Sequence, residues 1–588
     1  MLKEALESFK SELNKKGDRL ILDNYIPADG TYVIVAPKED SYEVKEVVNI
    51  KLDKKTKTID KSSNYFNKIC IYDYNSKLVD MNKPIDGRKI IHSNNYLSFF
   101  LKKENFSSGK LTDEIIDGYY DILSNPYLKY SKSKPKSYEI YKNLESEIGE
   151  VDIELIERIK AWIKKNIFVI GEEHPGKDYL KVFFECGEDE KSIEENYIRE
   201  GKRCFVPNIY NSNDFNIKIN GEIFGLPNNN MGMNSKKPYL ENKTRKVRLP
   251  YLIDSEEVML QKKFFDYLLN KVTLGKVNVY INESKILTLE NENMPKDNFE
   301  GIFMRIKKGK EVEIIGYDVV TNYKPNLSKK FIFKNILGDE IDDKYFELYG
   351  TCGSRERLQG VLDNVFFSKY LINNYFTDAG DISINNEVLK SNLLIARDRI
   401  FNWLYKGNKN GIDKLLSKIS LSLVKGSIER GNFKKAKDQF NLRWSFESYF
   451  NGGVDMAEIV YEMQNKLRNK INAVTTDKFE SDNEYYFAVG QLINYFLSLS
   501  KGKSKPQSLL NPFINARGNE VIKEKLRGLY LKYNYTIEQN YKRFNNLYGM
   551  IVSYEPVEKV NQDMILAGYL RSNLVYEKEE KKEVKEGK

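Results

Sequence analysis

From Gln359 onward the apolar residues recur every third or fourth position, and that spacing commits the second half of the chain to packed helices. Val361, Val365, Phe366, Tyr370 and Ile372 open the series, and residues 391–405 and 411–425 continue it. The clearest stretch is Met456, Ile459, Val460, Met463, Leu467, Ile471 and Val474, matched later by Ile537, Tyr541, Phe544, Tyr548 and Ile551. Between them lie helical runs at 484–500 and 519–533, separated by short connectors with Asp, Gly and Pro. Four amphipathic helices of this length close into a bundle, apolar stripes inward and polar positions outward. The polar positions include Lys523, Lys525, Arg527, Lys532, Lys542 and Arg543.

The first part reads differently. Strand-like runs at 32–36, 44–52, 69–72, 179–185, 215–219, 277–281, 303–306 and 312–317 are interspersed with helical patterns at 111–124, 151–166 and 256–272. Leu2, Leu6, Phe9 and Leu13 sit at near-helical spacing between charges, so residues 2–16 predict an amphipathic helix docked on the body. The expected architecture is an α+β N-terminal part followed by an all-α half ending in a helical bundle. With 588 residues, more than one core is needed. The expected domains are a mixed α/β body over 1–350, a helical connecting domain over 351–455, a bundle over 456–575 and a disordered mixed-charge tail over 576–588.

Charge is concentrated rather than spread. The net charge is +9, yet residues 228–250 (NNNMGMNSKKPYLENKTRKVRLP) carry six basic side chains against one acid. Residues 501–543 carry ten basic side chains against three acids, so the two zones together exceed the total and the remainder is slightly acidic. Localised basic zones on a balanced body suit a polyanion-binding protein, although lysine-rich solvated faces have the same composition. In the first zone, amides and a Met-Gly-Met turn precede the cations. Asn228, Asn229, Asn230, Asn234, Lys236 and Lys237 can meet base edges, and Lys243, Arg245, Lys246 and Arg248 can clamp phosphates. The alternative is that the asparagines cap a turn and Lys236 and Lys237 touch a neighbouring subunit. Aromatic residues reach 13%, which fits large cores or base-stacking surfaces.

Catalytic chemistry is sparse. The two histidines, His92 and His174, have no local nucleophile or metal signature. No phosphate-binding Walker loop occurs. Asp178, Lys181 and Glu185 have a nuclease-like order, but no lysine stands two positions after Glu185, and the run reads as a strand. The acids from Glu188 to Glu195 read as a solvated loop. Cys70, Cys186, Cys204 and Cys352 are far apart with no C-x-x-C pair, which argues against both a zinc ribbon and a disulfide framework and points to a reducing, cytoplasmic setting. No apolar run approaches the ~20 residues needed to span a bilayer. The expectation is a binder with no catalytic residues, no metal and no cofactor.

Five segments carry a resemblance: NYIPADGTY (24–32), HSNNYLSFFLKKE (92–104), the basic loop 228–250, EYYFAVGQLINYFLSL (484–499) and LLNPFINA (509–516), with RFNNL at 543–547. In this order and spacing the chain resembles the large subunit of type I-B CRISPR surveillance (Cascade) complexes, of the Csh type, over residues 2–570. The resemblance implies a non-catalytic subunit beside the 5′-handle-binding subunit of a guide RNA. Its N-terminal part would recognise the target-flanking motif (PAM) in duplex DNA. Its bundle would stabilise displaced or target strand and help recruit a separate helicase-nuclease. Other implied partners are the backbone and small subunits. Some relatives carry C-x-x-C zinc elements, which this chain lacks. Guide pairing would read most of the target, so one short base-reading loop and a phosphate track suffice.

A second candidate loop is His92, Asn94 and Asn95, either contacting RNA handle or DNA or supplying a helix N-cap at Ser93 or Asn94. Arg355 and Arg357 offer a further grip on a phosphate or partner, or a plain surface. Gly452-Gly453-Val454-Asp455 precedes Met456, and Gly-Gly codons can form a ribosome-binding sequence. An internal start at Met456 would yield the bundle as a separate small subunit, whereas a plain Gly-Gly hinge needs no such product. Two other functions remain open from sequence: a metal-dependent nuclease, and a structural scaffold without base reading.

Overall fold

The computed structural model describes residues 2–577 apart from 40, 54, 57, 79–82, 211, 227–251, 310–311, 340, 342–345, 453–454, 476, 501–506 and 539. The chain divides into two compact units, one of residues 1–292 and 300–321, the other of 293–299 and 322–588. An α+β N-terminal region is followed by helices, which is the expected fold class.

The first unit opens with α1 (Leu2–Lys16), β1 (Gly30–Lys38), β2 (Ser41–Ile50), α2 (Phe66–Ser76) and β3 (Ser98–Lys102). Helices α3 (Asp113–Ser124), α4 (Pro135–Ile148) and α5 (Ile153–Glu173), strand β4 (Tyr179–Phe184) and α6 (Glu190–Phe205) follow. The strand order is β2-β1-β4-β3, with β1 parallel to β4 and the other pairs antiparallel. Gly30 to Val35 are all buried, as befits a central strand covered on both faces. Ile115, Ile116, Ile156, Ile159 and Ile163 from α3 and α5 share the core with Val33, Phe99 and Val182.

Residues 69–72, expected as a strand, lie inside α2. Phe66, Ile69, Cys70 and Asp73 are buried at i, i+3, i+4 and i+7, so the helical period prevails over the short apolar run. The acidic run 188–195 leads into α6 and forms its first turns from Glu190; the capping Asp189 side chain accepts from the Ser192 amide and Ser192 closes a capping box.

The hairpin β5 (Ile217–Ile219) and β6 (Glu222–Phe224) precedes α7 (Ser255–Thr273). A second sheet, of order β10-β9-β7-β8, is built from β7 (Asn278–Ile281), β8 (Ile286–Leu289), β9 (Phe299–Lys308) and β10 (Val312–Tyr323). The predicted N-terminal helix docks here: Ala5, Leu6 and Phe9 of α1 are buried, with the Phe9 ring 5.2 Å from Phe264 of α7.

The second unit begins with the hairpin β11 (Asn326–Phe333) and β12 (Gly350–Ser354) and is helical thereafter. Its long helices are α8 (Glu387–Lys406), α9 (Ile412–Glu429), α10 (Phe433–Asn451), α11 (Met456–Asn472), α12 (Asp482–Ser498), α13 (Asn519–Tyr533), α14 (Lys542–Ser553) and α15 (Gln562–Leu570). The four bundle helices read from the sequence are α11 to α14, and α15 is a fifth. Seven consecutive residues of α15, Met564 to Leu570, are buried, so it shows no amphipathic stripe to read. Val474 is 92% exposed beyond the end of α11, and Ile537 and Tyr541 precede α14.

Helix α12 is the bundle's axis, buried at every position from Glu484 to Leu497 except Asn494. Its polar residues are matched: Glu484 meets Lys470 at 3.0 Å, and Gln491 donates to the Gly568 carbonyl while its Oε1 accepts from the Leu574 amide. The bundle core also includes Val424, Ile428, Ala436 and Phe440 of α9 and α10. Arg443 of α10 grips both carboxylate oxygens of Asp563, at 2.8 and 3.0 Å.

Candidate nucleic-acid interface

The basic loop 228–250, with Asn228, Asn229, Asn230, Asn234, Lys236, Lys237, Lys243, Arg245, Lys246 and Arg248, lies outside the described residues. So do Lys501, Lys503 and Lys505 of the second basic zone, Gly453 before Met456, and the tail from 578. The flanks of the loop are described. Gly225 and Ile253 exchange backbone hydrogen bonds of 3.0 and 3.1 Å, so the two flanks of the loop lie side by side. The β5–β6 hairpin leads into that point, with the Tyr210 hydroxyl donating to the Ile223 carbonyl.

The second loop candidate is interior. His92 is 9% exposed, Asn94 4% and Asn95 1%. The Asn94 amide donates to the Lys77 carbonyl at 3.1 Å, the Asn95 amide to the Tyr197 carbonyl at 3.1 Å, and the Ser93 hydroxyl bonds with Tyr119 at 2.8 Å. His92 bonds through its ring nitrogens to the Tyr179 hydroxyl and the Lys89 carbonyl, and burial pulls its pKa down. These residues neither face solvent nor cap a helix. They tie the entry of β3 to α2, α3 and α6, because a bend in this buried position must satisfy its own polar groups. Arg355 is likewise interior, donating to the Lys324 and Trp403 carbonyls.

The bundle cations separate into two sets. Lys523 pairs with Glu555, and Arg543 is held by Asn472 and the Glu577 carbonyl. Lys525, Arg527, Lys532 and Lys542 are exposed, and among the described residues none has a carboxylate within ion-pair distance. Lys532 lies over the Tyr533 ring. A third basic surface escaped the sequence reading. Lys414, Lys418 and Lys425 stand at i, i+4 and i+11 on one face of α9, a spacing present in the chain beside the apolar period.

Asp178 and Glu185 flank opposite ends of β4, roughly 20 Å apart by strand rise. Asp178 meets Lys103 at 2.9 Å, Lys181 pairs with Asp73, and Glu185 accepts from the Tyr72 hydroxyl at 3.2 Å. Among the described residues no group of three His, Cys, Asp or Glu side chains is arranged to hold a metal ion, and no helix is long and apolar enough to cross a membrane.

The segment 24–32 is structural. Tyr25 donates to Asp73 at 2.7 Å, Asp29 accepts from the Leu52 amide, and Asn24 accepts from Lys271 at 2.9 Å. Burial lowers the Lys271 pKa from 10.5 to about 8, with Lys276 and Lys16 adding repulsion. A lowered lysine pKa means that the folded state releases its proton first, so stability should rise with pH from about 8 to 10.5. Partial solvation of the amine reduces the increment to about 1 kcal/mol. Urea denaturation across this range should show that increment in the native chain and not in Lys271→Met; equal slopes would refute it. No protein-family model, curated protein or solved structure matches this chain.

Proposed function

We propose that this chain is the non-catalytic large subunit of a type I-B CRISPR RNA-guided surveillance complex. In this reading the loop 228–250 recognises the target-flanking motif in duplex DNA. The bundle stabilises the R-loop and helps recruit the helicase-nuclease. The partners are guide RNA, target DNA, the 5′-handle-binding subunit, and the backbone and small subunits. The carrying observation is the set of four exposed bundle cations, Lys525, Arg527, Lys532 and Lys542, which have no carboxylate partner among the described residues. Such cations exchange counterions for phosphates without reading sequence, which is what strand stabilisation requires. The order of the five resembling segments supports the same reading.

A product starting at Met456 belongs to this proposal. Helix α11 begins at Met456, the residue a second start would supply; its cap, Asp455, which accepts from the Ala457 amide at 3.1 Å, would be absent from that product. That product would lose Val424, Phe440 and Arg443 from its core and its ion pair, and would need a partner on that face.

The test is affinity purification of the full chain from cells carrying a CRISPR array. Short RNAs sharing a repeat-derived 5′ end should copurify, and a C-terminal product should vanish when the Met456 codon becomes a leucine codon. In the purified complex, replacing the four bundle cations with alanine should weaken binding to all targets. It should also flatten the log–log salt slope by up to about 3. Absence of guide RNA, or magnesium-dependent cutting by this subunit alone, would overturn the reading.

A further inference from the structure

Between α9 and the short helix Asn511–Ile514 lies an open cleft of about 380 Å³. Lys418, Ser422, Lys425, Glu429, Asn511 and Asn515 line it, and Leu421 and Val388 form its apolar floor with Gly426. Lys414 lies one turn from Lys418 on the same helical face, about 6 Å along the axis.

The donors of this cleft are available. Ser422 accepts from the Asn392 amide at 2.9 Å, which leaves its hydroxyl hydrogen free to donate. Lys425 donates to the Asn515 Oδ1 at 2.9 Å, so the Asn515 amide hydrogens turn the other way and two ammonium hydrogens remain. Lys414 and Lys418 are exposed, and among the described residues neither has a carboxylate partner. The one acid in the lining, Glu429, already accepts from Asn511. The lining sets two ammonium groups, Lys418 and Lys425, against that one carboxylate, so with Lys414 beside it the cleft is net positive and its ammonium, hydroxyl and amide donors fit an anion bearing several oxygens.

We propose that this cleft binds consecutive phosphodiester groups of a single nucleic-acid strand. The inference rests on the nucleic-acid-binding reading of the chain and adds a site outside both the loop and the outer bundle face. Lys414 and Lys418 hold one phosphate, and Lys425, Ser422 and Asn515 hold the next. The contacts reach only backbone oxygens, so the site is indifferent to base sequence.

The experiment titrates the full chain with labelled oligothymidylate over a range of salt, alongside inorganic phosphate alone. Lys418→Gln/Lys425→Gln should lower strand affinity about ten-fold and flatten the salt slope by about 1.4, from two lost phosphate contacts. Lys414→Gln/Lys418→Gln, at exposed positions that leave the Lys425–Asn515 bond intact, should also lower strand affinity and flatten the slope by about 0.7, for the one phosphate they share, with an unchanged melting temperature. Unchanged affinity and slope in both variants would overturn the cleft while leaving the loop and bundle reading in place. Binding of inorganic phosphate that the variants abolish, with strand binding unaltered, would also overturn it in favour of a free-anion site. Failure of the native chain to bind any strand would overturn both proposals.

Discussion

Alanine at Gly490 or at Gly568 is expected to destabilise the helical unit by about 3 kcal/mol each. The two glycines are where α12 and α15 cross. A Cβ at Gly490 would stand 2.1 Å from the Ile565 carbonyl oxygen and 2.7 Å from the Tyr569 nitrogen. A Cβ at Gly568 would stand 2.0 Å from the Phe487 carbonyl oxygen. These obstacles are backbone atoms, which no rotamer change can move, so the helices must separate. Separation loosens Gln491 from Gly568 and Asn494 from the Tyr569 carbonyl, leaving buried polar groups unpaired. Gly528 in α13 and Gly549 in α14 are the controls. Nothing lies within 4 Å of a Cβ at either, and alanine there should stabilise by roughly 0.5–1 kcal/mol through helix propensity. Hydrogen exchange of α12 amides and urea unfolding followed through Trp403 and Trp444 would distinguish the pairs. Equal behaviour of the buried and open glycines would refute the crossing as the tightest contact of the bundle.

What the sequence revealed and what it hid follow from the same physics. Helices with one wet face, such as α11 and α13, announce themselves, because Met456, Val460, Met463 and Leu467 alternate with charges at a helical period. Helix α15 is nine residues long and interior from Met564 onward, so it presents an apolar run without period; the usable signal was the capping Asn561, which accepts from the Met564 amide. The strands β1 and β4 were legible because β-branched and aromatic residues fill them between turn residues. The site was less legible than the fold. Composition cannot separate a lysine that faces solvent from one that is already paired: Lys523 and Lys525 are two positions apart, yet only Lys523 meets a carboxylate. Asn94 and Asn95 show the same limit for amides, since a buried bend and a base-reading loop use the same side chains.

Lys181→Met is expected to cost the first unit about 3–5 kcal/mol, and Lys181→Met/Asp73→Asn to recover most of that loss. Lys181 points from the centre of β4 into an aromatic enclosure, with Phe100, Tyr32 and Tyr179 rings 4.6, 5.2 and 5.4 Å from its nitrogen. Burial pulls its pKa down while Asp73 pulls it up. Asp73 is itself only 1% exposed and accepts one further bond, from Tyr25. Methionine fills the same volume but leaves that carboxylate charged, buried and held by a single neutral donor. Asparagine at 73 removes the stranded charge while keeping an acceptor for Tyr25, so the double variant should approach the native stability. The cycle also separates a structural from a catalytic lysine. A structural ion pair gives a large coupling energy between positions 73 and 181, with nucleic-acid affinity per folded molecule unchanged. A lysine serving metal-dependent hydrolysis with Glu185 would instead show no coupling to Asp73 and a loss of cutting without a loss of stability. The pairing of Lys181 with Asp73, and of Glu185 with Tyr72, favours the first outcome, because each group has already spent its charge or hydrogen bond inside the fold.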